Sequence, residues 1–150
     1  MLRVLWVLCV VLAAEAAWCG PVREQTVYVP VYSHVYHGDR ERPFLLAATV
    51  AVRNVDRAIP ITVVAADYYD SDGRLLRRLV TEPRVIAPLA SLRVVIPESD
   101  AAGGSGASCV VRWQAERPAA APVVEAVMIG TRSSQGISFV SQGRVLEETP

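Results

Sequence analysis

Apolar and polar positions alternate most clearly at Cys109, Val111, Trp113 and Ala115 against Val110, Arg112, Gln114 and Glu116. One face is apolar and the other largely polar, as in a strand of an antiparallel sheet buried on one side. The same period of two recurs elsewhere. Phe44 to Asn54 carries Leu46, Ala48, Val50 and Val52 on one face and Ala47, Thr49, Ala51 and Arg53 on the other. Ile61, Val63 and Ala65 are in phase within 61–69, and Leu92, Val94 and Ile96 alternate with Ser91, Arg93 and Val95. Val123 to Ile129 and Ile137 to Val140 read as two further strands around a polar turn from Gly130 to Gly136. Thr26 to Tyr36 is β-branched and aromatic but interrupted by Pro30. Proline cannot donate to a ladder, so this segment is expected at a sheet edge.

Asp72-Gly73 is a strong hairpin signal, with 74–80 as the return strand. Leu75, Leu76 and Leu79 in that segment also suit a helical turn. Seven or eight strands separated by turns, with no amphipathic helix, predict an all-β fold. The expected architecture is an antiparallel β-sandwich, immunoglobulin-like, over residues 26–145. Residues 17–25 are expected as a flexible N-terminal tail and 146–150 as a frayed C-terminal one.

The first residues change the picture of where this domain works. Arg3 precedes an apolar run from Val4 to Ala14, then Ala14-Glu15-Ala16 forms a small-residue cleavage site. A run of about eleven residues is too short to cross a bilayer as a helix, so 1–16 reads as a signal peptide. The mature chain is expected to be periplasmic or secreted, with no integral membrane segment. Losing Arg3 and Glu15 leaves the formal net charge at zero. Neutrality without a basic stripe argues against nucleic acid, whose affinity rests on phosphate neutralisation. Cys9 leaves with the leader. Cys19 and Cys109 are either bridged, as an oxidising compartment permits, or free, or Cys19 carries a lipid anchor.

Candidate chemistry is sparse. His34, His37 and Asp39 are close in sequence, but residues three apart on a strand face opposite ways, so no metal site is expected. Asp67 to Gly73 departs from a calcium loop at Tyr68 and Leu79, where acidic ligands are needed. Gly103-Gly104-Ser105-Gly106 lacks the lysine of a phosphate loop and the strand-to-helix setting of a nucleophile elbow. Its backbone N–H groups remain candidates for binding an anion or a partner's carboxylate. Thr131, Arg132, Ser134 and Gln135 form a second candidate loop. Tyr28, Tyr32 and Tyr36 would share one face of an undistorted strand, packed on the sheet or offered to a partner. No cofactor pattern is present.

The segments VYVPVYSHVYHGD (27–39), DYYDSDG (67–73), GGSGA (103–107) and VEAVMIGTRSSQGISFVSQG (124–143) resemble a family of secreted bacterial proteins, the domain of unknown function 3124. The likeness spans about residues 26–145. It implies a bacterial envelope protein, often preceded by a signal or lipoprotein leader, and supplies no catalytic residues. The resulting expectation is a non-catalytic binding or assembly module with an envelope protein as partner. The alternatives are a hydrolase using Ser105 with His34 or His37, and a purely structural envelope component.

Overall fold

The computed structural model describes residues 20–132 and 134–150. The leader at 1–16, with Cys9, and Cys19 of the expected tail lie outside the described residues. Twelve strands follow: β1 (Val22–Pro30), β2 (His34–His37), β3 (Arg42–Leu45), β4 (Ala47–Arg53), β5 (Ile61–Tyr69), β6 (Leu75–Val80), β7 (Arg84–Ile86), β8 (Ser91–Ile96), β9 (Ser108–Ala119), β10 (Val123–Arg132), β11 (Gln135–Gln142) and β12 (Arg144–Thr149). One sheet runs β12-β1-β9-β5-β6, with β7 on the same edge of β5 as β6. The other runs β11-β10-β4-β8, and β2 with β3 makes a separate hairpin. All the pairings are antiparallel, so the expected all-β sandwich is what the chain forms.

The core lies between the sheets, where the alternation places it. Val27 and Val29 of β1, Val111 and Trp113 of β9, Ala48, Val50 and Val52 of β4, and Ala126 and Met128 of β10 are all buried there. Trp113 is also satisfied at its polar end. Its indole N–H donates to Gln25 Oε1 at 3.2 Å, and Gln25 Nε2 donates to Glu148 at 2.9 Å. A buried Trp without an acceptor would lose a hydrogen bond that water supplies in the unfolded chain.

Several expectations require correction. The segment read as an edge strand is interior at Thr26, Val27 and Tyr28, where β1 pairs with β12 on one side and β9 on the other. Pro30 is its last residue, opposite Ser108, where the missing N–H interrupts nothing. The strand already starts at Val22, so residues 22–25 are not a tail. Beyond Pro30 the chain leaves the sheet, and the three tyrosines part. Tyr28 stays on β1, Tyr32 packs edge-on against Phe139 at 5.4 Å, and Tyr36 moves to the β2–β3 hairpin. The 44–54 segment is two strands broken at Leu46. Residues 75–80 are a strand, not a helical turn. Residues 146–149, expected to be frayed, belong to β12, which pairs with β1. The 130–136 turn is narrower than expected, because the ladder continues through Thr131↔Gly136 and Arg132↔Gln135.

Candidate functional site

Strand order decides which loops meet. Pro30 and Tyr69 both pair with Ser108, Ile96 pairs with Ala48, and Ile129 pairs with Ala47. One end of the sandwich therefore collects the 31–46 segment, the turn after β5, the β8–β9 loop and the tip of the β10–β11 hairpin. Both glycine-bearing candidate loops sit at this end.

Their roles differ. The 103–107 loop is fastened inward. Ser71 N and Oγ both donate to the Gly103 carbonyl at 3.0 Å, and Gly106 N donates to Ser71 Oγ at 2.9 Å. Buried Ser33 holds the other side, donating from N and Oγ to the Gly104 carbonyl at 3.1 and 3.0 Å. A Cβ at Gly103 would lie 2.0 Å from the Tyr68 hydroxyl, so glycine is required for that close approach. The N–H of Gly106 points at Ser71 rather than at solvent. Ser105 is half-buried, and no hydrogen bond joins it to His34 or His37 among the described residues. His34 Nε2 instead meets Tyr36 Oη at 3.1 Å, and His37 packs edge-on to Phe44. Among the described residues no group of three His, Cys, Asp or Glu could hold a metal ion.

Arg132 and Gln135 are placed differently. The β2–β3 hairpin folds over the end of β10, and Gly130 permits it: a Cβ there would lie 2.5 Å from the Leu45 carbonyl and 2.6 Å from the Phe44 ring. Arg132 Nη1 reaches across to the Pro43 carbonyl at 3.4 Å. Between the two hairpins lies a cleft of about 560 Å³. Val35, Phe44 and Ile137 give it an apolar floor, and Tyr36, His37, Arg42, Arg132 and Gln135 its rim. A second recess of about 380 Å³ shares Phe44 and Arg132 with the cleft and is otherwise lined by Pro43, Leu45, Thr131 and Glu98 of the β8–β9 loop. Thus Thr131, Arg132 and Gln135 line cavities. Ser134, with φ +64°, sits at the turn and lines neither.

Among the described residues the two arginines of the cleft are not ion-paired, in common with most arginines of the domain. Arg53, Arg77, Arg78 and Arg74 each have a carboxylate within 4.0 Å. Arg42 and Arg132 have none among the described residues. Sequence reading missed Val35, Arg42, Phe44 and Ile137 as parts of a site, and weighed Tyr36 and His37 only for other roles. The signal for them was a short aromatic and basic hairpin, and its partner strand lies roughly 90 positions away.

Cys109, the other flagged cysteine, is elsewhere. Its thiol is free and fully buried in the core, and burial, assisted by the Asp67 carboxylate, pushes it up to about 12.

Fold and site together define an antiparallel β-sandwich with an apolar-floored, cation-rimmed cleft at its loop end. The chain belongs to the family described as "Protein of unknown function (DUF3124)", which matches residues 24–146. Comparison with curated proteins finds no match. Among solved structures, one from Thermotoga maritima, "Crystal Structure of Thermotoga maritima 1070", is similar at 11% identity, covering 87% of this chain and 98% of that one with a TM-score of 0.49.

Proposed function

We propose that the protein is an exported, envelope-located binding module that works through the cleft between its β2–β3 and β10–β11 hairpins. The leader pattern at 1–16 supports export to the periplasm or beyond. Among the described residues no helix is long and apolar enough to cross a membrane, which agrees with a domain lying outside the bilayer core. The observation that carries the binding reading is the cleft. It has an apolar floor, two arginines without internal carboxylates, and a volume within the range of small-molecule sites. Loops held at one end of a rigid sandwich are where immunoglobulin-like folds place recognition.

The test is crosslinking in intact cells of a tagged copy, with fractionation, comparing wild type with an Arg42→Glu/Arg132→Glu variant. The expected result is an envelope fraction and a crosslinked species that the variant loses. A cytoplasmic protein, or a species unchanged in the variant, would overturn the reading.

A further inference from the structure

We infer that the cleft's ligand is a small anionic amphiphile: one anionic head, carboxylate, phosphate or sulfonate, on an apolar or aromatic body. The inference rests on the binding reading above and adds the ligand's chemistry to it.

Arg42 and Arg132 come from different hairpins and face one space. Two guanidinium groups without a carboxylate between them form a site for a single anion, since each can donate two parallel hydrogen bonds to its oxygens. Arg132 spends one nitrogen on the Pro43 carbonyl, which fixes the side chain and leaves the rest of the fork available. Arg132 borders the second recess as well as the cleft, and the two differ in their other charges. Glu98 lines the second recess and repels an anion there, whereas the cleft beside His37 and Arg42 contains no acidic residue in its lining. Phe44 is buried, with one edge against His37, so it gives a rigid floor rather than a mobile lid. Val35 and Ile137 each stand two register positions from the pairs that hold the arginines, His37↔Arg42 and Arg132↔Gln135, and an apolar body would lie over them.

A polyanion such as nucleic acid needs a longer basic track than two arginines on a chain of zero net charge. A neutral sugar would leave both guanidinium groups without a counter-charge. An anionic amphiphile satisfies floor and rim together.

The experiment is a fluorescence titration of the purified protein with anilinonaphthalene sulfonate, an aromatic sulfonate. It is paired with its neutral analogue N-phenylnaphthylamine. Wild type is compared with Arg42→Ala/Arg132→Ala and with Arg132→Lys, each first shown by circular dichroism and thermal melting to be folded. The expected result is one saturable site for the sulfonate, weakened about tenfold or more in the double Ala variant and less in Arg132→Lys. The neutral analogue should bind wild type more weakly and be indifferent to the substitutions. Displacement by decanoate would identify a free amphiphile as the source. Displacement only by phosphatidylglycerol vesicles would identify a lipid headgroup. Equal sulfonate binding by wild type and the double variant, equal binding of the neutral analogue, no binding, or no displacement by either competitor would each overturn the inference. If the crosslinked partner is still lost in the Arg42→Glu/Arg132→Glu protein while the sulfonate fails to bind, the cleft remains a binding site and only the ligand class falls.

Discussion

At Gly103 the backbone runs so close to the Tyr68 ring that a single methyl group has nowhere to go. Tyr68 is fully buried and cannot swing aside, so Gly103→Ala is expected to cost about 1–3 kcal/mol in urea unfolding, as other overpacked sites do. Among the described residues the Tyr68 hydroxyl makes no well-formed hydrogen bond, although Ser33 and the Gly103 backbone lie near enough to act on it, so Tyr68→Phe should be close to neutral in the same assay. Cys109 gives a second prediction. A thiol raised to about 12 is protonated at pH 8 and inaccessible as well, so a disulfide reagent should leave it intact in the native protein and react on unfolding. A bond to Cys19 is not expected. Cys109 pairs with Val29, seven positions along β1 from Val22, or about 23 Å, and Cys19 lies only three residues before Val22. A bridge needs Cα atoms within about 7 Å. Equal mobility with and without reductant is the check.

At the scale of elements, the end of the sandwich opposite the cleft is tied by two side chains. Buried Asn54 donates to the carbonyls of Ile59, Ile86 and Ala87, and its own Oδ1 accepts from Asp56 N. Losing these in Asn54→Ala should cost about 2 kcal/mol. The Asp56 carboxylate accepts from Ala120, Ala58 and Ile59 N–H groups, with Ala120 contributing most, and they hold its pKa below the ordinary 3.8. A depressed folded-state pKa gives stability that is complete above the ordinary value and disappears as pH falls through the lower one. The gap in urea midpoint between wild type and Asp56→Asn should therefore be largest at neutral pH and close below about 3.8. At the other end, Gly130→Val should push the β2–β3 hairpin off β10 while leaving the sheets intact. Faster tryptic cleavage after Arg40, with an unchanged far-ultraviolet spectrum, would show it.

The elements themselves were legible wherever one face is buried and the other wet, as in β9, where period two leaves no choice of register. They were illegible where that contrast is missing. Every residue of β12 is exposed, so Arg144–Thr149 shows no alternation and its strand character comes from backbone pairing to β1 alone. Pro30 was visible, but not that it closes the strand instead of interrupting it. Of the site, Arg132 and Gln135 were found because they stand out in a polar turn. Arg42 and Phe44 were not, because their place beside Arg132 depends on a hairpin folding back over Gly130. The GGSGA segment drew attention as a possible cradle, yet its glycines are used for close packing against Tyr68 and Ser71.

For the whole molecule, the path of β1 matters beyond the core it helps close. Val22 and Thr149 lie at one end of that strand, since Glu24 pairs with Thr149, and Pro30 lies at the other, beside the loops. The nine residues of β1 separate the two ends by about 26 Å. Both ends of the folded domain thus leave from the pole opposite the cleft. A fusion partner attached at either end should not alter affinity for the sulfonate probe, and titration of amino- and carboxy-terminal fusions checks this. It follows that a chain tethered through residues before Val22 would stand with its cleft outward, about a domain's length from the anchoring surface. The order of strands alone would then fix which pole greets an incoming molecule.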